Sequence, residues 1–449
     1  MHEFTSDLEE LADRALTYSL ERLKNDPPLD GPRTSKDLFD EVGNTISAKG
    51  MGGLEALKVF TDVLAPACIS TDHPRNLAYI PSAPSEHANL FDLVVGASAL
   101  YGGSWQEGAG AVFAENQALR WVADLAGLPE SAGGVFAQGG TVGNLSALVV
   151  ARVEGRKRWP ETSRWAIMCS KEAHSSITSA AQVMDVDLVL VEPDVMGRLR
   201  GEDVAREIDS FHSSGEGRIF AVVATAGTTN LGIIDDLESV GAAAQARNIW
   251  FHVDGAYGLA ALCAPSARPK FVGVESADSL IVDPHKWLFA PFDACALIYR
   301  NPELAREVHT QNASYLDALH EDDSWNPSDY AINLTRRTRG LPFWFSLAAN
   351  GTDAYTEAVE QTLEMAQVAA QKIREHPRLE LFREPDLSVV SFTRPGWERK
   401  DYKNWSDTLL SDGIGFVPAS SHKGQTILRF AIVNPWTKVA DIDQILATL

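Results

Sequence analysis

Cysteine is scarce in this sequence: Cys68, Cys169, Cys263 and Cys295 are the four in 449 residues, and no two form a C-x-x-C pair. A chain this long is not a disulfide-stapled scaffold, and free thiols in a reducing compartment are expected. Apolar runs of about eighteen residues are also missing, so no membrane-spanning helix is expected. The opening residues, Met1-His2-Glu3-Phe4-Thr5-Ser6-Asp7, are acidic and lack the basic-then-apolar order of a secretory signal, which points to the cytoplasm. Positive charge is in deficit: 39 Lys and Arg against 61 Asp and Glu leave a formal net charge of −22. Such an acidic chain is not expected to take nucleic acid or an anionic membrane as partner. The local basic group Arg336, Arg337 and Arg339 then reads as ion-pairing or as lying near a cofactor. The 11 histidines show no H-x-x-x-H or H-x-x-E-H spacing, so no metal site is expected.

What is present is 45% hydrophobic residues, enough for one large core and a smaller one. Leu8, Leu11, Ala12, Ala15, Leu16, Leu20 and Leu23 recur at helical spacing, with Ser6 as cap and Glu9 three residues on. A Pro-rich break follows at Pro27-Pro28-Leu29-Asp30-Gly31-Pro32. Residues 1–70 therefore read as a helical arm of the kind that clasps a partner subunit. Strands and helices then alternate: strands at 164–169, 187–191, 219–224, 249–253, 279–282 and 294–299, and helices at 174–184, 201–212 and 237–247. The βαβαβ order implies a mostly parallel sheet covered by helices, and ligands in such sheets sit beyond the carboxyl ends of the strands. Residues 71–345 read as this large, ligand-binding domain. A long helix at 354–374 and strands at 387–393 and 426–433 make residues 346–449 a small α+β domain.

The chemistry centres on Asp283-Pro284-His285-Lys286-Trp287-Leu288, one strand and one helix beyond His252-Val253-Asp254-Gly255-Ala256-Tyr257. A lysine at a strand end among apolar residues can hold the aldehyde of pyridoxal phosphate covalently, and desolvation is expected to lower its pKa. A carboxylate closing a buried strand, Asp254, is costly unless paired, and a protonated pyridine nitrogen would pair it. The plainer alternatives are a lysine reaching out to solvent and a helix cap at Asp254. Ala256 is small enough to lie against a flat ring. Gln138-Gly139-Gly140-Thr141-Val142-Gly143-Asn144 opens a helix whose free N–H groups suit a phosphate, although glycine turns before helices are common. His174 begins a helix after a strand, where it could stack on the ring or merely cap the helix.

Taken as an ordered set, these segments resemble the group II pyridoxal-phosphate-dependent amino-acid decarboxylases, the family of the aromatic amino-acid, histidine and glutamate decarboxylases. The matching pieces are His73-Pro74, Ala78-Tyr79-Ile80-Pro81, Gly139-Gly140-Thr141, Ala173-His174-Ser175-Ser176, Gly227-Thr228-Thr229, Val253 to Tyr257, Pro284 to Trp287, Arg336-Arg337 and Leu428-Arg429-Phe430. The resemblance implies an α/β fold of the aspartate-aminotransferase type, fold type I. Its mostly parallel seven-stranded sheet would carry a small C-terminal domain, and its active site would lie at a homodimer interface. It further implies that Lys286 carries the cofactor, Asp254 meets the ring nitrogen, His174 stacks on the ring and Ala256 lies opposite. Gly140, Thr141 and His285 would hold the phosphate, Thr228 would sit near the ring and Asp254, and Arg429 would meet the substrate carboxylate. By the same resemblance Tyr330, in the polar stretch from Asp322 to Tyr330, would come from a mobile loop and return a proton to the substrate carbon; it could also be an ordinary loop tyrosine.

For the substrate pocket the matching residues are Tyr79, Ile80, Pro81, Tyr101 and Trp105, a lining that favours an aromatic side chain. Gly103 replaces a phenylalanine found in aromatic decarboxylases and would leave a wider pocket. Arg75 and Gln106 could instead bind an acidic substrate, and all these residues could simply pack the core. Decarboxylation of an L-amino acid, aromatic by preference, is the expected activity. The alternatives are an acidic substrate, transamination, or aldehyde-forming oxidative decarboxylation.

Overall fold

A computed structural model describes residues 2–215, 217–311 and 324–449. Seven strands, β1 (Gly133–Ala137), β2 (Trp165–Ser170), β3 (Asp187–Val191), β4 (Arg218–Thr225), β5 (Trp250–Asp254), β6 (Ser279–Val282) and β7 (Cys295–Tyr299), form one sheet. Their spatial order is β1-β7-β6-β5-β4-β2-β3. Pairings β2–β3, β2–β4, β4–β5 and β5–β6 are parallel, whereas β7 runs antiparallel to both β1 and β6. The central strands are apolar runs because both faces are covered; seven of the eight residues of β4 are buried. Sequence reading missed β1, whose Gly133-Gly134 start disguises a strand. A Cβ at Gly134 would lie 1.8 Å from the Leu297 carbonyl oxygen, so the close pairing with β7 requires glycine there.

The helices are α1 (Ser6–Lys24), α2 (Ser35–Val42), α3 (Gly53–Val59), α4 (Glu86–Ser98), α5 (Trp105–Leu125), α6 (Gly140–Arg158), α7 (Ser175–Met184), α8 (Gly201–Ser213), α9 (Leu237–Gln245), α10 (Pro302–His309), α11 (Leu341–Asn350), α12 (Thr352–Glu375), α13 (Arg399–Ser411) and α14 (Val439–Leu446). A second sheet of β8 (Glu380–Leu381), β9 (Val389–Thr393), β10 (Ser420–His422) and β11 (Gln425–Ala431), ordered β10-β11-β9-β8, carries its own core of Val390, Phe392, Leu428 and Phe430 under α12 and α14. Leu77 belongs to that core too. Its N–H donates to the Phe416 carbonyl at 3.0 Å, and its carbonyl accepts from Ala431 N–H at 2.9 Å. Residues around Leu77, assigned from sequence to the large domain, thus pack with the small one.

Helices α1 to α3 contain no buried residue. Thr5, not Ser6, caps α1: Thr5 is extended and its hydroxyl accepts from Leu8 N–H, while Ser6 already lies in the helix. Apolar side chains of this region stand in the open, with Phe4, Phe39 and Ile46 at 72%, 64% and 83% exposure. The basic group resolves into ion pairs: Arg336 with Glu115, Arg337 with Asp92 and Arg339 with Asp293.

Candidate active site

Strands β1, β2, β4, β5 and β6 point the same way, and the segments leaving their carboxyl ends line a cavity of about 220 Å³. From β1 come Gln138 to Thr141 and Asn144, from β2 His174 and Ser176, from β4 Thr225, Gly227 and Thr229, from β5 Asp254 and Ala256, and from β6 Asp283, His285 and Lys286. The sheet can bring α6 this near because its inward positions are glycines. A Cβ at Gly143 would stand 2.8 Å from Cys295 Sγ and 2.9 Å from Ile281 Cγ2. Gly139, with φ +79°, occupies the cap position of α6 without any side-chain cap, which turns the helix start toward the cavity.

Asp254 is 4% exposed. Its Oδ2 accepts from Asn144 Nδ2 at 2.9 Å and its Oδ1 from Ala256 N–H at 3.2 Å. Among the described residues no cation lies within ion-pairing distance of it, so the carboxylate faces the cavity without an ion-pair partner. His174 caps a helix and also faces the cavity. Its Nδ1 caps α7 by accepting from Ser176 N–H at 3.2 Å, and its ring lines the cavity. Pyridoxal phosphate fits these residues. The Asp254 carboxylate suits a protonated ring nitrogen, the small Ala256 leaves room for a flat ring, and the start of α6 with His285 suits a phosphate.

Lys286 is the one lysine among the lining residues, and its side chain is 23% exposed. Burial pushes its pKa down, as expected from sequence. Burial is the largest single influence, but the Asp283 carboxylate, 3.0 Å from Nζ, through its charge and hydrogen bond, together with Asp254 and Cys295, outweighs it, and the net shift is upward. Asp283 itself is buried and also accepts from Gly140 N–H at 3.3 Å. The expectation of a lowered lysine pKa is therefore corrected for the cavity as it stands.

Several other expectations are corrected by position. Thr228 does not line the cavity; its hydroxyl accepts from Ile233 N–H at 3.1 Å and braces the turn, while Thr225 and Thr229 face inward instead. Tyr330 is 1% exposed, stacked on Trp325 at 4.0 Å between ring centroids, with burial raising its pKa. A side chain packed this way inside its own subunit cannot swing over a cavity without unpacking the core, so the structure does not place it as a loop-borne proton donor. Asp322 and Asp323, from the same stretch, lie outside the described residues. Gly103 does not widen a pocket: a Cβ there would sit 2.2 Å from the Tyr101 hydroxyl, so the Tyr101 ring fills the space. Arg75 is engaged by Asp441 at 3.6 Å, Gln444 at 3.1 Å and the Gly413 carbonyl at 3.3 Å. Tyr79, Tyr101, Trp105 and Gln106 are not among the lining residues.

Arg429 also stands just outside that lining. It is 7% exposed, and it donates from Nη1 to the Thr229 carbonyl at 2.7 Å and from Nη2 to the Ala78 carbonyl at 2.8 Å. Sequence reading assigned no role to Asn144, His252 or Ser279, which form a buried hydrogen-bonded group behind Asp254. A polar residue in an otherwise apolar strand, His252 in Trp250-Phe251-His252-Val253, was the available signal.

Residues 51–394 match the family described as the pyridoxal-dependent decarboxylase conserved domain. The chain is 32% identical over 378 residues to the L-2,4-diaminobutyrate decarboxylase of Rhizobium meliloti, covering 81% of this chain and 74% of that protein. It is 25% identical over 421 residues to the aromatic-L-amino-acid decarboxylase of Bacillus atrophaeus, covering 91% and 87%. In fold it resembles the crystal structure of Oryza sativa TDC with PLP and tryptamine, with a TM-score of 0.92 at 22% identity over 100% of this chain and 98% of that one. With the cavity's lysine, the Asp254 carboxylate and the glycine-led helix start, these matches make the chain a member of the pyridoxal-dependent decarboxylase family, an amino-acid decarboxylase that uses pyridoxal phosphate on a type I fold.

Proposed function

We propose that this enzyme decarboxylates an aromatic L-amino acid to its amine, as a cytoplasmic homodimer. The observation that carries the substrate reading is Arg429, a buried guanidinium whose partners are two carbonyl oxygens and no carboxylate. Burial lowers its pKa, with the neighbouring Tyr257 and Tyr79 acting against that shift. A substrate α-carboxylate would supply the missing anion. An acidic substrate has a second carboxylate and needs a second free cation. Arg75 is bound by Asp441, and the three arginines at 336, 337 and 339 are all paired. Beside Arg429, Tyr79 is 56% exposed and packs edge-on against Phe416 at 5.9 Å, an aromatic wall open to a ligand.

When bound, pyridoxal phosphate supplies the electron sink for the carbanion left by departing carbon dioxide. The chain's part is to bind, orient and move protons. Lys286 would offer the amine that holds the cofactor, Asp254 would favour its protonated ring, and Gly140, Thr141 and His285 would take the phosphate. Arg429 orients the carboxylate for loss. With Tyr330 buried, Lys286 is the proton carrier assigned here, and Asp283 favours a proton on its Nζ.

A carbon dioxide release screen tests the substrate. Aromatic amino acids should be turned over, with glutamate, aspartate and 2,4-diaminobutyrate far behind. Arg429→Met should raise KM at least about tenfold through loss of a charged hydrogen bond. Turnover confined to glutamate or diaminobutyrate would reject the aromatic assignment.

The homodimer reading is supported by the uncovered apolar surface of the arm, together with Leu93, Val94 and Phe113 at 61%, 50% and 58% exposure. Sedimentation equilibrium should give twice the chain mass; a monomer that is fully active would contradict it. Four unpaired cysteines, three of them buried, support a reducing compartment. Recovery of the chain in a membrane pellet on cell fractionation would count against the cytoplasm.

A further inference from the structure

Behind the cavity, on the sheet face covered by α6, polar side chains form one continuous file. Trp250 Nε1 donates to Ser279 Oγ at 2.8 Å, and Ser279 Oγ lies 2.8 Å from His252 Nδ1. His252 Nε2 lies 2.8 Å from Asn144 Oδ1. Asn144 Nδ2 reaches both Asp254 Oδ2 and Ser176 Oγ at 2.9 Å, and Ser176 Oγ lies 2.9 Å from His174 Nδ1. Asn144, Ser176, His252, Ser279 and Asp254 are each no more than 4% exposed, so water does not compete for these groups.

Valence fixes the direction of the bonds that leave Asn144. A carboxylate only accepts, so Asn144 must present its NH₂ group to Asp254 and its carbonyl to His252. A neutral His252 must then carry its proton on Nε2 and accept at Nδ1. The other end is compatible. An indole N–H only donates, so Ser279 accepts from Trp250 and keeps its single proton available to His252 Nδ1. Burial keeps this imidazole neutral, pushing its pKa down to about 4 against the opposing charge of Asp254. The second N–H of Asn144 goes to Ser176, whose hydroxyl is left with one proton, and that proton points to His174 Nδ1. The backbone N–H of Ser176 converges on the same nitrogen at 3.2 Å. A neutral His174 therefore carries its proton on Nε2.

We propose that Asn144 is the positioning residue of this site, a branch point that holds Asp254 by one oxygen and, through the Ser176 hydroxyl, reinforces the His174 tautomer that the α7 cap also requires. Its use to the enzyme rests on the cofactor reading above, whereas the proton placement is a property of the folded chain. One side-chain amide thus orients the group under the ring nitrogen and the ring assigned to stack on the cofactor. Replacing its NH₂ by oxygen removes both donors: the new carboxyl must share a proton with Asp254, the Ser176 hydroxyl turns to it, and the freed lone pair of that hydroxyl competes with the Ser176 backbone N–H at His174 Nδ1.

The test is ¹⁵N solid-state NMR of the full-length holoenzyme labelled at histidine, with His174 assigned by substitution. The wild type should show a protonated Nε2 and an unprotonated Nδ1 at His174. Asn144→Asp should give mixed His174 tautomers, because the Ser176 hydroxyl then opposes its own backbone N–H at Nδ1, and weaken pyridoxal phosphate binding at least about tenfold. Ser176→Ala, which spares the Asn144–Asp254 bond and the backbone N–H at His174 Nδ1, should keep the proton on Nε2 but shift the Nδ1 signal through loss of one donor, with a smaller loss of cofactor affinity, and it carries the test alone if Asn144→Asp does not fold. Unchanged His174 nitrogen signals in a folded variant of either kind would overturn the proposal. Failure of wild-type protein to bind the cofactor would instead strike the cofactor reading and leave the tautomer result standing.

Discussion

Lys286→Ala should lose the covalent cofactor link and more than about a thousandfold of turnover, a modest share of the acceleration typical of enzymes. Lys286 is the one lysine at the cavity, so no neighbouring amine among the described residues can take over the link. Its pairing with Asp283 at 3.0 Å also makes it a proton carrier, so the substitution removes two functions together. Borohydride reduction followed by peptide mass spectrometry should place the adduct on Lys286 in the wild type and nowhere in the variant. An adduct on another lysine, or undiminished amine production by the variant, would refute the assignment.

Glu115→Ala should cost about 3–5 kcal/mol of stability, the range for removing one partner of a buried ion pair. Glu115 and Arg336 are 2% and 7% exposed and 2.8 Å apart. Glu115 also accepts from Gly340 N–H at 2.7 Å, and Arg336 donates to the Phe136 carbonyl at 3.1 Å and to the Gly102 carbonyl. The pair therefore fastens α5, the Tyr101–Gly103 turn, β1 and the start of α11 at one point. Truncating Glu115 leaves both a buried cation and an unmet amide. A double replacement, Glu115→Leu with Arg336→Met, should recover part of the loss, because no lone charge stays buried. The urea midpoints of the two variants check this, and a Glu115→Ala midpoint equal to that of the wild type would dismiss the clamp.

Legibility in the sequence followed distance along the chain. Lys286 and Asp254 sit at the ends of apolar strands, and the rule that ligands gather at strand carboxyl ends was enough to group them with the Gly227-Thr228-Thr229 turn. Asn144 stood inside a recognised glycine turn, yet its importance depends on His252, 108 residues later, and no local pattern records that contact. Tyr330 was misjudged for the opposite reason. Its neighbours Asn326, Pro327 and Ser328 are loop-like in composition, but Trp325 supplies a ring that pulls the tyrosine into the core. Gly103 looked like empty space because a missing side chain says nothing about who fills the gap, and here Tyr101 does. The raised pKa of Lys286 depends on Asp283 turning back toward it, a matter of rotamer and not of spacing.

The stitching of Leu77 into the C-terminal core has a mechanical consequence. Arg75, Leu77 and Ala78 are hydrogen-bonded to Phe416, Ala431 and Arg429 of the small unit. Any hinge movement of that unit must carry Tyr79 and Arg429 along as one body. The grip on the carboxylate and the aromatic wall would then arrive and leave in step, so a ligand that fails to fill the wall would also forfeit its anchor.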